Sequence, residues 1–421
     1  MTDQILITGC GTFIPPEVID NETLVKAYNA HVEEYNQEYS AEIVAGDRTA
    51  LKTSSADFIK NASGIEARHV MEASGIIDPQ RLRPNLEDRN PDELSYQGEM
   101  GLAAAKNASG IEARHVMEAS GIIDPKRLRP DLEDRNPDEL SYQAEMGLAA
   151  AKNALDQANK SANDVGMLIS ACSNYERPYP SLAIEIQKAL GINGFAFDMN
   201  VACSSVPFAI RLAYNSLITQ PELPGVLIVS PEFYTGHLNF RDRDSHFIFG
   251  DAAGALYLER SETSKSSNAF SVKNIHLQTH FSNNIRNDGG FLRQAVNRTD
   301  PWHPRNLFSQ QGRAVFKEIV PLVSEMILNQ LDEERIKSSS IKRVWLHQAN
   351  SKMNLLLAKK VLEREPSPAE LPLVLKKYGN TGAAGVVLAF SESQNLDKGS
   401  WGVFCAFGAG YSAGSVLLQK C

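Results

Sequence analysis

A chain of 421 residues, 43% hydrophobic and 22% charged, has the composition of a soluble globular protein with room for two core-forming halves. Its formal charge of −9 disfavours nucleic acid as a partner, and its five cysteines (10, 172, 203, 405 and 421) form no disulfide framework, so a reducing cytoplasm is the expected setting. No signal peptide, no apolar run long enough to span a membrane and no Cys/His spacing for a metal is read.

In chain order, the first conspicuous feature is a tandem duplication. Residues 60–105 and 106–151 are 46-residue copies that differ only at Gln80/Lys126, Asn85/Asp131 and Gly98/Ala144. Two copies are too few for a solenoid, so the surplus reads as an insertion within one domain. The triplet Lys-Asn-Ala recurs at 60, 106 and 152, which points to unequal exchange there; a cloning or assembly artefact is the other source. Residues 140–158 read as one amphipathic helix, so copy 2 is expected to fill the native slot while the 94–105 helix of copy 1 is extruded or packs on the surface. Gly98 costs that first-copy helix about 1 kcal/mol relative to Ala.

Further along, Met167-Leu-Ile-Ser-Ala, Val226-Leu-Ile-Val-Ser and Trp401-Gly-Val-Phe-Cys read as continuous apolar strands, the pattern of a sheet covered on both faces. Phe195-Ala-Phe-Asp-Met-Asn-Val-Ala-Cys reads as a strand that ends at Cys203, with a helical pattern following at once. A cysteine on such a turn lies near the positive end of a helix dipole, which favours thiolate and suits a nucleophile. The same position suits a buried structural cysteine. Residues 283–300, with paired Gly289 and Gly290, read as a long surface loop near the active-site entrance. Arg343-Val-Trp-Leu-His-Gln-Ala-Asn delivers His347 from an apolar strand and places Asn350 at the start of a helix. Lys377-Tyr-Gly-Asn-Thr-Gly-Ala-Ala carries Asn380 on a glycine-rich turn into an apolar helix. The last run, from Val403 to Leu418, reads as two strands joined by a glycine-rich bend whose N–H groups could face an oxyanion.

Each piece alone has an ordinary structural reading. Together, in this order and at these separations, they resemble the β-ketoacyl-acyl-carrier-protein synthase III family, the Cys-His-Asn condensing enzymes of the thiolase superfamily. The resemblance runs nearly the whole chain, from Ile5-Leu-Ile-Thr-Gly-Cys-Gly through Ser63-Gly-Ile-Glu-Ala-Arg-His, Tyr179-Pro-Ser-Leu-Ala and Phe249-Gly-Asp-Ala-Ala-Gly to the C-terminus. It implies an α/β, thiolase-like five-layer αβαβα fold of two similar halves, residues 1–263 with Cys203 and 264–421 with His347 and Asn380. It also implies a homodimer, with Tyr179 closing the partner's acyl pocket. Cys203 would take the acyl group, the N–H groups of Cys203 and Ala409 would hold the oxyanion, and His347 and Asn380 would stabilise the enolate left by decarboxylation. Phe407 resembles the phenylalanine that separates the cysteine from that pair. Substrates would be acyl-CoA and acyl-carrier-protein thioesters, with no cofactor or metal.

Two groups of surface residues follow from the same resemblance. Lys317, Lys352, Lys359 and Lys360 would form a docking patch for the acidic acyl carrier protein, although an ordinary solvated helix face has the same look. At the primer entrance, Phe58, Ala62 and Gly236 stand where acetyl-CoA-using members carry a tryptophan and two arginines. The ring is kept and the cations are lost, which points to a medium-chain acyl-CoA or a carrier-bound primer. His237 and Arg241 lie near enough in sequence to replace those cations. Asn380 argues against the Cys-His-His elongating synthases, and Cys405 falls within a strand, where the second cysteine of degradative thiolases does not sit. Open alternatives are the same chemistry on a polyketide- or quinolone-type starter and a catalytically impaired paralogue kept as a binding partner.

Overall fold

The computed structural model describes residues 4–15, 19–63, 67–68, 129, 136, 138–242, 245, 247–290 and 303–421. The expected 94–105 helix, most of copy 1 and the first part of copy 2 lie outside the described residues.

Thirteen strands and ten helices organise the described chain. Short strands β2 (Ile19–Asp20) and β3 (Ala67–Arg68) pair with each other, as do β9 (Ile285–Arg286) and β10 (Ser309–Gln310). The expected 283–300 loop is therefore not structureless at its start; its residues 291–300 are outside the described set. The other nine strands are β1 (Ile5–Phe13), β4 (Met167–Ala171), β5 (Phe195–Met199), β6 (Val226–Glu232), β7 (Ala252–Arg260), β8 (Phe270–Thr279), β11 (Ile341–Leu346), β12 (Trp401–Gly408) and β13 (Ser412–Lys420). They join in the order β11-β12-β13-β8-β1-β7-β6-β4-β5. Two wings meet where Leu6 and Ile7 of β1 pair with Ser271 and Phe270 of β8.

Helices α1 (Asn21–Glu38) and α2 (Ser40–Ala45) precede the duplicated segment, α3 (Ala56–Ser63) runs into the start of copy 1, and α9 (Leu375–Tyr378) leads into the Asn380 turn. The remaining six build the layers. Helices α4 (Tyr142–Ala158) and α5 (Leu182–Leu190) cover one outer face, where Ala150, Ala154 and Ile186 meet Leu168, Leu227 and Val229. Helices α6 (Ser205–Thr219) and α10 (Ala384–Ser391) fill the centre, against Ile169, Ile228 and Leu256 of one wing and Phe404, Val416 and Leu418 of the other. Helices α7 (Gly312–Glu333) and α8 (Ser351–Leu362) cover the far face, with Val323, Ile327 and Leu357 on Val344, Leu346 and Val403. The result is the five-layer αβαβα arrangement. Because helices lie on both sides, strands such as β4 and β6 are buried along their whole length, which is why they read as unbroken apolar runs.

The second-copy helix takes its place in this packing as α4. The Ser141 hydroxyl caps it by accepting from the Ala144 N–H, and Ala144 itself is fully buried. Copy 1 carries glycine at the equivalent position, Gly98. Ala144→Gly should therefore lower stability by between about 1 and 2 kcal/mol, from lost helix propensity and one unburied methyl. The check is the urea midpoint at unchanged m; an unmoved midpoint would mean that α4 is not part of the cooperative core.

Candidate active site

Cys203 is presented by a tight strand-to-helix turn. Between β5 and α6 the chain passes through Ala202 in the left-handed region (φ 48), and the Ser204 and Ser205 N–H groups donate back to the Val201 and Ala202 carbonyls. This puts Cys203 just ahead of the α6 N-terminus, where the helix dipole favours negative charge. Burial acts the other way and prevails. Cys203 is 9% exposed, and desolvation pushes its thiol up to about 12, against the lowering effect of hydrogen bonds from Tyr234 and Ser173. The dipole's preference for thiolate is thus outweighed, and the group rests as a thiol.

His347 ends β11. Its N–H donates to the Cys405 carbonyl at 2.9 Å, and its carbonyl accepts from the buried Asn354 amide at 3.0 Å. Its ring meets Phe407 edge-on, 5.5 Å between centroids. Burial pushes the imidazole down to about 4, and among the described residues its buried Nδ1 has no hydrogen-bond partner. Gln348 beside it is fully buried; its Oε1 accepts from Val374 and Leu375 N–H while its amide donates to Leu346 and Pro372, tying β11 to the segment that leads to Asn380.

Asn380 is fixed at both its backbone and its side chain. Its N–H donates to the Ile248 carbonyl, and its own carbonyl accepts from Gly250 N–H. The side-chain Oδ1 accepts from Gly382 N–H at 3.0 Å, so the Nδ2 donors remain for another partner.

Three interlocks bring these segments together. Phe407 touches His347, and the next residue, Gly408, packs on Cys203 so closely that a Cβ there would lie 2.8 Å from the cysteine Cβ. Gly382, at φ +54, sits where a Cβ would lie 2.2 Å from Tyr234 Cε2 and 2.9 Å from the Glu232 carboxyl carbon. Tyr234 in turn stacks on Phe249 at 4.1 Å, the residue bridged to Asn380, and its hydroxyl lies 3.3 Å from Cys203 Sγ. Glu232 is 1% exposed, and its Oε1 accepts from Ser173 N–H, Ser173 O–H and Ala383 N–H at 2.9–3.0 Å. Burial raises that carboxyl to about 8. The sequence reading overlooked Glu232, Tyr234 and Ser173. The signal available was a carboxylate closing an otherwise apolar strand.

The other expected residues fall as follows. Ala409 follows Gly408 in the glycine bend between β12 and β13. Asn350 caps α8, accepting from the Lys352 and Met353 N–H groups. Cys405 is fully buried among the outer-layer side chains, and burial holds it as a thiol. Phe58 packs edge-on against Phe247, Ala62 lies in the last turn of α3, and Gly236 lies against the Phe233 ring. His237 does not supply a cation: desolvation pushes it down to about 4, and its Nε2 engages Asn174. Arg241 is exposed. Lys317, Lys352, Lys359 and Lys360 are all exposed; Lys352 donates to the Asn61 carbonyl and Lys359 pairs with Glu365. Tyr179 is 73% exposed, in the segment ahead of α5. Among the described residues no cluster of His, Cys, Asp and Glu could hold a metal ion.

Comparison with known proteins places the chain among condensing enzymes by sequence and fold. Family models described as 3-oxoacyl-[acyl-carrier-protein] synthase III and its C-terminal portion match residues 197–278 and 331–420. The chain is 41% identical over 401 residues to the beta-ketodecanoyl-[acyl-carrier-protein] synthase of Pseudomonas aeruginosa, a match that covers 94% of this chain and 100% of that one. It is 32% identical over 276 residues to a beta-ketoacyl-[acyl-carrier-protein] synthase III of Clostridium perfringens, covering 63% of this chain and 81% of the relative. Among solved structures, 3-oxoacyl-[acyl-carrier-protein] synthase III of Aquifex aeolicus superposes with TM-score 0.67 at 20% identity over 99% of each chain. The priming beta-ketosynthase of the R1128 polyketide pathway superposes with TM-score 0.67 at 18% identity, over 100% of this chain and 97% of that one. These structural likenesses establish the thiolase-like condensing-enzyme fold.

The His347 environment predicts a pH dependence of stability. The ring's pKa is depressed from 6.5 to about 4 in the folded chain, so the unfolded chain binds the proton more readily between those values. This contribution is complete above pH 6.5 and is lost as pH falls towards about 4. It amounts to about 3 kcal/mol. His347→Gln should flatten that part of the unfolding free energy against pH; an unchanged slope would show that the ring is not buried as a neutral group.

Proposed function

The chain belongs to the 3-oxoacyl-[acyl-carrier-protein] synthase III family, and on that premise we propose that it joins an acyl primer to malonyl-acyl-carrier protein by decarboxylating Claisen condensation. The products are β-ketoacyl-acyl-carrier protein, CO2 and free CoA, in fatty acid synthesis. The observation that carries the reading is the interlock of the Cys203, His347 and Asn380 segments around Glu232 and Tyr234.

The chemistry follows from the groups present. Cys203 sulfur attacks the primer thioester, its thiol proton leaving with the CoA sulfur, and the N–H groups of Cys203 and Ala409 hold the oxyanion. His347 is neutral at working pH. A buried N–H without an acceptor costs more than a bare lone pair, so its proton belongs on Nε2 rather than the unpartnered Nδ1. His347 and the free Asn380 amide then donate to the malonyl thioester carbonyl, which takes the negative charge as CO2 leaves. The carbanion attacks the acyl-Cys203 carbonyl, and the released sulfur takes up a proton. Phe407, between His347 and the Cys203 loop, keeps the two half-reactions apart. Asn350 supports His347 indirectly by starting α8.

Several features support a medium-chain primer. Condensation adds two carbons, so a β-ketodecanoyl product like that of the Pseudomonas relative requires an eight-carbon primer. Cys203 belongs to a cluster of buried apolar and aromatic side chains that includes Leu24, Ile59, Phe240, Phe247 and Phe249. The entrance residues Phe58, Ala62 and Gly236 carry no charge for the CoA phosphates, and His237 is neutral. We read residues 1–263 and 264–421 as the two thiolase-like halves. Edge strand β5, with Phe195 47% exposed and the nearby Tyr179, fits a second copy whose pocket Tyr179 would close. The exposed lysines of α8, with Lys317, fit an acidic carrier protein. No cofactor beyond the thioester substrates is called for. Among the described residues no helix is long and apolar enough to cross a membrane, and we place the reaction in the cytoplasm.

The test is a condensation assay with malonyl-acyl-carrier protein and an acyl-CoA series from acetyl to decanoyl, read by product mass. Octanoyl-CoA should be used best, and the carrier-dependent rate should fall as salt screens the lysine patch. Preference for acetyl-CoA would overturn the medium-chain assignment. Folded protein that condenses neither CoA-bound nor carrier-bound primers would overturn the function.

A further inference from the structure

The Tyr234 hydroxyl has no part in the mechanism above, yet it lies 3.3 Å from the sulfur of the proposed nucleophile. Tyr234 opens the 3-10 turn Tyr234–His237 after β6 and is 4% exposed. Its ring is clamped by the stacked Phe249 ring on one side and by Gly382, which leaves no room for a Cβ, on another. His237 closes a further side at 4.9 Å. Packing of this density leaves the ring no other well-packed place to go. Phenylalanine would fill the same space, so the packing does not explain the hydroxyl.

The surroundings supply the explanation. Glu232 opposes charge on Cys203, while Tyr234 and Ser173 favour it. His237 and His347 are neutral at working pH, and Asp251, behind Glu232, is taken up by Thr235. The phenol stays protonated because burial holds it far above neutral, so it is a donor. Among the described residues, a sulfur gathering negative charge in this site thus meets hydroxyl donors and a helix N-terminus instead of a cation. We propose that Tyr234 is a positioning residue for Cys203, its O–H turning to the sulfur as the thiol proton leaves and making the thiolate accessible in a water-poor site. This rests on Cys203 being the acyl-accepting nucleophile. Tyr234 keeps its own proton throughout; the thiol proton departs with the CoA sulfur.

The test is the rate of iodoacetamide alkylation at Cys203, followed by peptide mass from neutral to alkaline pH, in the parent enzyme and Tyr234→Phe. Burial keeps the thiol's own titration beyond the alkaline end of this range, so loss of a hydrogen bond to the charged sulfur should slow alkylation roughly tenfold throughout, the two profiles running parallel. Coincident profiles, or faster alkylation in Tyr234→Phe, would overturn the proposal. Should the phenylalanine variant melt early, 3-fluorotyrosine at 234 keeps the shape and donates more strongly; it should speed neutral-side alkylation, and no change would count against the idea. Acylation by octanoyl-CoA, measured in parallel on the same proteins and on Cys203→Ala, separates the two readings. A shifted alkylation profile without acylation keeps the hydroxyl's effect on the thiol and removes the enzyme function. Acylation at Cys203 with unshifted alkylation removes this inference alone.

Discussion

A single buried carboxyl group holds the site in one piece. Glu232 ends β6, and stripping an ionisable group of water costs several kcal/mol unless hydrogen bonds replace it. Its replacements come from both wings of the sheet: Ser173, just after β4, and Ala383, at the start of α10. The bond to Ala383 fixes the turn that carries Asn380, whose own Oδ1 is used locally on Gly382. Tyr234, two residues further on, fills the remaining space between that turn and Cys203. The geometry around the sulfur therefore depends on strand β6 as much as on the segment that bears the cysteine.

Two opposing effects set the chemistry of the proposed nucleophile. The α6 N-terminus favours thiolate, and desolvation by the buried apolar side chains packed around the cysteine favours thiol. Desolvation wins at rest, with the thiol pushed up to about 12. The same dryness keeps His347 neutral, as a donor to a forming enolate needs to be, and strengthens every hydrogen bond in the site. In the proposed mechanism one physical condition, exclusion of water, thus hinders the first half-reaction and serves the second. On the same proposal the hydroxyls around Cys203 meet the first difficulty, with no cation beside His347 among the described residues.

Much of the fold was legible because its layers impose a pattern. Strands covered on both faces read as unbroken apolar runs, and α10, buried between the wings, reads as apolar all round. Cys203, His347 and Asn380 could be found because each sits at the end of an element, where turn residues mark the chain. Glu232 and Tyr234 escaped notice because their importance lies in which strand neighbours β6, and period-2 alternation says nothing about partners. The charge states were equally hidden: Cys203 was read from its helix and His237 from its residue type, while burial by distant segments decides both. The duplication was plain in the sequence; its second-copy helix lies on the sheet as α4, with buried Ala144 where copy 1 has Gly98.

The central claim is that Cys203 takes an acyl group inside this enclosed site. Intact-mass spectrometry after incubation with octanoyl-CoA, without malonyl-acyl-carrier protein, isolates that step. The account predicts one added acyl group per chain, mapped to the peptide containing Cys203 and lost in Cys203→Ala. A stable acyl adduct on any other residue, or one that persists in Cys203→Ala, would contradict it.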